Sequence, residues 1–332
     1  MTKGNQYDHQ FYLKKLHQQF NTPHEVIVEI IKKIDSAGIR SIKRIIAGEV
    51  NEVYRITRKG QQELILRIAH KEQSSFEIEK WALEACEKVG VPVPEVLLVD
   101  SVKTSGKQLW VCVETVVAGV KLDSILKNPK TKVEHAQALV GTAGGTLAKI
   151  HSIKTRGFGN FTAPGQGQKL RPEQWVTAPK ERLQNIVSAA KSINYAETNI
   201  NKAFDILEQH KGAFNQVEPV LAHGDFGSDH IFIKGGKVSG VIDMEGCESG
   251  HPVIDFAWWD FYFGMHWPTE WLQAGYSDKT VFDATFDLKL HIAKLRMALY
   301  GSEYYWQKGN KAFLKTIYQK FDDELTYFRS LQ

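Results

Sequence analysis

Residues 221–246 read LAHGDFGSDHIFIKGGKVSGVIDMEG, and the reading of this stretch decides the fold. Asp225 follows the apolar run 220–222, and Asp243 follows the run 238–242. Between them, IFI at 231–233 predicts a strand and KGGK at 234–237 a tight turn, since paired glycines accept the positive φ angles that a hairpin turn needs. A hairpin returns the chain to its starting end, so the acid before it and the acid after it converge. Two carboxylates held together repel unless a cation or a shared proton intervenes. A Mg²⁺ ion, which favours hard oxygen ligands, meets that need.

The joint occurrence of His223-Gly224-Asp225, the hairpin, Ile242-Asp243-Met244-Glu245 and a further Asp255 resembles the catalytic segment of the aminoglycoside phosphotransferases and related small-molecule kinases. The resemblance implies an α+β, bilobal protein-kinase-like fold, with a small antiparallel-sheet N-lobe and a larger, mainly helical C-lobe. It implies a nucleotide-binding lobe over 1–117, including a helical pair over 8–37, and a catalytic and substrate-binding lobe over 118–332. It makes Asp225 the catalytic residue that orients an acceptor hydroxyl and takes its proton, and Asp243 the Mg²⁺ ligand. Five residues after Asp225, where the family has a metal-binding Asn, this chain has His230, as macrolide phosphotransferases do. His230 is therefore the candidate second metal ligand, with water or Asp229 as alternatives. The run DFGS at 225–228, together with RGFGNFTAPGQGQK at 156–169, is similar to the hygromycin phosphotransferase-like branch. The 156–169 segment is expected either as a lid over substrate or as a connection over the lobe surface.

Upstream, 41–47, 52–57 and 64–69 read as strands. Thr22 and Pro23 read as a helix start, with Thr22 as the cap. The first turn, with Gly48 and Asn51, resembles the loop that covers the nucleotide phosphates in such phosphotransferases, and the resemblance implies that Gly48 lets backbone approach a phosphate. Arg67 lies inside the aliphatic run LILRIA, where an unpaired charge is costly. Its candidate partner is Glu79, on a helix expected over 73–89; the alternative is an arginine that snorkels to the surface. By resemblance, Arg67 stands where kinases place the phosphate-contacting lysine. Strands over 95–100 and 108–116 lead to Glu114 in 114–119, which resembles the family's interlobe hinge; the resemblance implies that main chain there meets the purine, so ATP and GTP are equally compatible donors.

Helices are expected over 133–152, ending at a packed His151, and over 172–189 and 195–209. Asp255 is expected to cap the next helix and brace the catalytic loop. Met244 and His251 replace a Trp and an Asp usual in the family. The aromatic run 258–267 supplies core and, at Trp259 with Asp260 beside it, candidate substrate contacts; Glu245 is a third. A cationic aminoglycoside calls for an acidic cleft, and Asp260, Glu245 and Glu248 are the acids whose convergence would form one. No Ala-Pro-Glu follows Asp243, so a peptide-docking platform of the protein-kinase kind is not expected.

The 332 residues suffice for one large core or two lobes, and 42% hydrophobic with 24% charged residues suits a soluble enzyme. A net charge of +4, with Lys and Arg scattered among acids, gives no support for nucleic acid or membrane as a partner. Three widely spaced cysteines suggest neither zinc nor disulfides and fit a reducing cytoplasm. The first residues carry no apolar leader core, and no apolar run is long enough to cross a membrane. The expected protein is a cytoplasmic monomer or homodimer. It moves the γ-phosphate of ATP or GTP, with Mg²⁺, to a hydroxyl of a small molecule, an aminoglycoside first. A macrolide phosphotransferase, a metabolic sugar or amino-alcohol kinase, and a non-catalytic nucleotide-binding protein are the alternatives.

Overall fold

Alternating apolar and polar residues between 39 and 115 form an antiparallel sheet in the computed structural model, which describes residues 12–36, 38–46, 48–70, 75–104 and 106–331. Its five strands are β1 (Ile39–Ile45), β2 (Asn51–Arg58), β3 (Leu64–Ala69), β4 (Val96–Thr104) and β5 (Lys107–Thr115), in the order β1-β2-β3-β5-β4. One face, with Leu66, Ile68, Val111 and Val113, is covered by Ile27, Ile30 and Ile31 of α1 (His24–Lys32). Residues 12–17 are also helical, and the His17 carbonyl accepts from Arg44 of β1 at 2.6 Å; positions 8–11 and 37 of the expected pair lie outside the described residues. The cap differs from expectation. Pro23 holds the N-cap position without a side-chain bond, and Thr22 Oγ1 instead donates to Glu52 Oε2 at 2.6 Å. The opposite face of the sheet carries Arg67, Cys112 and Glu114, and α2 (Phe76–Lys88) packs there through Phe76. The expected residues 73 and 74 of that helix lie outside the described residues.

Beyond residue 119 the chain is mainly helical. The short strand β6 (Val120–Lys121) leads into α3 (Leu122–Leu126) and α4 (Val133–His151). The strands β7 (Gly159–Ala163) and β8 (Gln166–Gly167) follow, then α5 (Pro172–Thr177), α6 (Leu183–Lys191) and α7 (Glu197–His210). The single helix expected over 172–189 is thus broken. Pro179 offers no N–H and crowds the preceding turn, and the chain passes through a 3₁₀ stretch, Ala178–Arg182, before the next helix. The stretch 220–250 supplies β9 (Val220–Ala222), β10 (Ile231–Lys234), β11 (Lys237–Val241) and β12 (Glu248–Gly250). The chain ends in α8 (Val253–Phe263), α9 (Thr269–Gly275), α10 (Phe286–Gln307) and α11 (Lys311–Ser330). No helix among the described residues is long and apolar enough to cross a membrane.

Two small sheets hold the stretch 220–250 in place. One has the order β11-β10-β6, so the predicted hairpin is anchored to the segment that leaves the large sheet. Gly235 and Gly236 take φ of 59° and 76°, as its two-residue turn requires. The other sheet has the order β8-β7-β12-β9. Through it the glycine-rich segment 156–169 becomes a strand pair bonded to β12, with Asn160 opposite Glu248. Helices α4 and α9 cross backbone to backbone: a Cβ on Gly144 would stand 1.9 Å from the Leu272 carbonyl oxygen, and one on Gly275 1.7 Å from that of Gly141.

Candidate active site

Asp225 sits just after β9 and Asp243 just after β11, as the hairpin dictates. Ligand atoms of Asp225, His230 and Asp243 all lie within 4.8 Å of one another. His230 is central: Nδ1 lies 2.9 Å from the Asp225 carbonyl oxygen and 3.7 Å from its carboxylate, and Nε2 lies 3.6 Å from Asp243 and 3.8 Å from Asp229. Asp243 takes a left-handed backbone, φ 69°, which turns the chain sharply out of β11.

The loop that carries Asp225 is fixed from behind. Asp255 Oδ2 accepts from the His223 N–H and Oδ1 from the Gly224 N–H, both at 2.8 Å. His151 Nε2 lies 2.8 Å from the same carboxylate, and His151 Nδ1 lies 3.0 Å from the Tyr276 hydroxyl. Asp255 lies in the first turn of α8 and points back to the loop; the N-cap itself is Pro252, so of its two expected roles the bracing is present and the capping is not. Gly224 must be glycine: its φ is 76° and a Cβ would meet the Gly246 carbonyl at 2.1 Å. The His223 ring ties both ends of the hairpin, accepting from the Asp225 N–H at 3.2 Å and donating to the Ile242 carbonyl at 3.1 Å. Burial lowers the His223 pKa, in keeping with this neutral form.

Arg67 reaches the same place from β3. Its guanidinium lies 2.5 Å from Glu79, 3.1 Å from Glu245, 3.3 Å from Asp243 and 4.0 Å from Glu114. The expected Arg67–Glu79 pair is therefore present, and Arg67 does not snorkel. One buried cation serves four acids, and burial pushes the Glu79 and Glu114 carboxyls up while Arg67 opposes it. Asn51, at the start of β2, donates to Glu245 Oε2 at 2.6 Å. Gly48, φ 77°, has open space around its Cα, and its carbonyl lies 3.0 Å from His17 Nε2. Glu49 in the same turn accepts from the Tyr304 hydroxyl of α10 at 3.0 Å.

The remaining expected contacts lie elsewhere. Glu245 faces Arg67 and Asn51. Trp259 is fully buried, with its indole N–H donated to the Trp267 carbonyl at 2.9 Å, so it has no face for a ligand. Asp260 is tied to Lys294 at 2.7 Å and to Thr269 at 2.8 Å. Glu248 accepts from the Trp175 indole at 3.3 Å, and Arg296 stacks on that indole at 3.5 Å. The three acids that an acidic cleft would require are each engaged with partners of their own. Sequence reasoning passed over His223 and read His151 as packing alone. His223 is signalled by its place in the His-Gly-Asp motif, whereas nothing near His151 in sequence points to Asp255.

Electrostatics separates the two central carboxylates. Burial pushes Asp225 up to about 7, against the pull of His230. Burial also acts to raise Asp243, but Arg67 and His230 outweigh it and hold the carboxyl below its usual range. Burial acts to lower His230, yet Asp225, Asp229 and Asp243 lift it to about 9, each carboxylate favouring the protonated ring. Two carboxylates with a third ligand between them suit a divalent cation; the oxygens match the hard-ligand preference of Mg²⁺, and His230 Nε2 is the weaker donor to it.

A family profile described as phosphotransferase enzyme family matches residues 41–283. The chain is 23% identical over 242 residues to hygromycin-B 4-O-kinase of Escherichia coli, across 72% of this chain and 66% of that protein, so the match spans just under two thirds of the relative's length. The solved structure of aminoglycoside phosphotransferase APH(4)-Ia is similar with a TM-score of 0.72 at 20% identity, over 92% of this chain and 99% of that one. A thermostable mutant of that protein in ternary complex with ADP and hygromycin B gives 0.71 at 20% identity, over 90% and 97% of the two chains. A putative fructosamine-3-kinase from Haemophilus somnus gives 0.59 at 16% identity, over 89% and 96%. At such identities the structures speak for the fold, a protein-kinase-like α+β architecture. The profile spans most of the chain, including every residue of the convergent site from Gly48 to Asp255, and the chain belongs to the phosphotransferase enzyme family.

Proposed function

We propose that the protein transfers the γ-phosphoryl group of ATP or GTP to a hydroxyl of a small molecule. The observation that carries this reading is the convergence of Asp225, His230 and Asp243 with Arg67 at the cleft between sheet and helices. Residues 1–117 serve as the nucleotide-binding half and 118–332 as the half for catalysis and acceptor. Gly48 and Asn51 cover the phosphates, Arg67 braced by Glu79 orders them, and the main chain near Glu114 meets the base. Mg²⁺, held by Asp243 with His230 or Asp229 in support, supplies neutralisation of phosphate charge.

The work of this chain's own residues is positioning. Asp225 accepts a hydrogen bond from the acceptor hydroxyl, aims its oxygen, and takes the proton as transfer proceeds. A carboxyl pushed up to about 7 is a better proton acceptor than an ordinary aspartate, while Asp243 stays ionised beside it. The amides held by Asp255 keep Asp225 in register without help from ligand.

Similarity favours a hygromycin-like aminoglycoside as acceptor. The pairing of Asp260 and Glu248 with partners of their own favours including neutral acceptors such as macrolides and sugars. The protein acts in the cytoplasm as monomer or homodimer, with no nucleic-acid or membrane partner. The test is nucleotide turnover with Mg²⁺ against hygromycin B, other aminoglycosides, macrolides, sugars and amino alcohols, with mass spectrometry of the product. One compound should gain a single phosphate. Asp225→Ala should lose transfer by at least about a hundredfold while still binding nucleotide. Wild-type turnover in that variant would remove Asp225 from the mechanism. Nucleotide binding with no acceptor turnover across the panel would favour the non-catalytic reading.

A further inference from the structure

We infer that Glu245 stands in the place of nucleotide phosphate when the site holds none, and so acts as a latch that nucleotide must displace. The inference rests on the kinase reading above. Glu245 Oε2 is bound by the two side chains assigned there to the phosphates: Asn51 Nδ2 at 2.6 Å and Arg67 at 3.1 Å. A carboxylate and a phosphate oxygen present the same acceptor to a guanidinium and an amide. Both are anions, so a triphosphate and Glu245 compete for Arg67, which already faces Glu79, Asp243 and Glu114.

The residues concerned also span the cleft. Asn51 and Arg67 belong to β2 and β3 of the large sheet, and Glu245 to the turn after Asp243, so the contact draws the phosphate-binding turn onto the catalytic stretch. The Glu49–Tyr304 bond closes the same turn onto α10.

Glu245 is on this account a positioning residue for the donor: its carboxylate weakens nucleotide binding. Calorimetry with the non-hydrolysable nucleotide AMP-PNP and Mg²⁺ tests it on the full chain. Glu245→Gln keeps the shape and removes the charge; it should bind the nucleotide about tenfold tighter, the size expected for losing one charge-assisted competitor. Glu245→Ala should move in the same direction. In kinetics, nucleotide KM should fall while acceptor KM stays. In nucleotide-free protein, amide exchange over 48–54 should speed up in Glu245→Gln. A structural role alone predicts equal or weaker binding in both variants, and that result, with wild type binding normally, overturns the latch and leaves the kinase reading intact. Failure of wild type and variants alike to bind nucleotide overturns both.

Discussion

Burial, helped by nearby Lys289 and His151, drops the His251 imidazole to about 3 from an ordinary 6.5. In the unfolded chain this group takes a proton below about pH 6.5, and in the folded chain only near 3. Between those limits the unfolded chain binds the extra proton, so stability falls as pH falls, by at most about 1.4 kcal/mol per pH unit from this one group. His251 Nδ1 accepts from the Val253 N–H at 2.9 Å, a bond that an asparagine oxygen can replace. Thermal melts at pH 7 and pH 5 should therefore show His251→Asn losing less melting temperature on acidification than wild type; an identical loss would acquit the histidine. At this scale the sequence is legible where chemistry forces the issue. A charge within LILRIA demands a partner, and Glu79 is at 2.5 Å. Side-chain direction is less legible: Glu245 reads as an acceptor contact, yet its carboxylate faces Asn51 and Arg67. Trp259 carries no mark that separates a core tryptophan from a ligand-facing one.

Helices α4 and α9 meet at Gly144 and Gly275, where the chains touch through their backbones. In an isolated helix, Gly144→Ala would stabilise by about 1 kcal/mol. Here the new methyl would stand 1.9 Å from the Leu272 carbonyl oxygen, and rigid backbone cannot move aside cheaply. Overpacking of this kind costs about 1–3 kcal/mol or more. The variant should melt several degrees lower, at roughly 2–4 °C per kcal/mol for a chain of this size; an unchanged or higher melting temperature would mean the helices can slide apart. Elements with strong periodicity are readable from residues alone, β3 and α4 among them, because one face of each must be buried. Boundaries set by a single residue are harder: Pro179 splits the helix read over 172–189. The 156–169 segment is illegible as strand because its partner β12 is remote in sequence and its glycines carry no alternation.

Over the molecule as a whole, two cores meet at the cleft: the sheet with α1, and a larger helical core running from Ala82 to Phe328. The three cysteines, Cys86, Cys112 and Cys247, are all free and buried. Burial pushes the Cys86 thiol up to about 12 and raises the other two as well. Native protein at pH 8 should leave all three untouched by Ellman's reagent and release three equivalents on denaturation; prompt labelling of the native chain would contradict the packing of α2 and β12. The expectation of a boundary near residue 117 rests on the resemblance of 114–119 to a hinge, and the large sheet ends at Thr115 with mainly helical chain beyond it. The assembly of the site was readable only in its local half, the hairpin and its two acids.

Asp255 gathers groups from positions 151, 223 and 224, which lie 104, 32 and 31 residues away along the chain. Closing loops of that length costs chain entropy that only the cooperative folding of the helical region offsets. A peptide of residues 221–246 would carry the acids, the histidines and the turn, yet it would lack the far ends that hold them still. The stretch that spells out the chemistry is therefore not a transplantable module. Grafting it onto another scaffold means carrying along the end of one helix and the beginning of another.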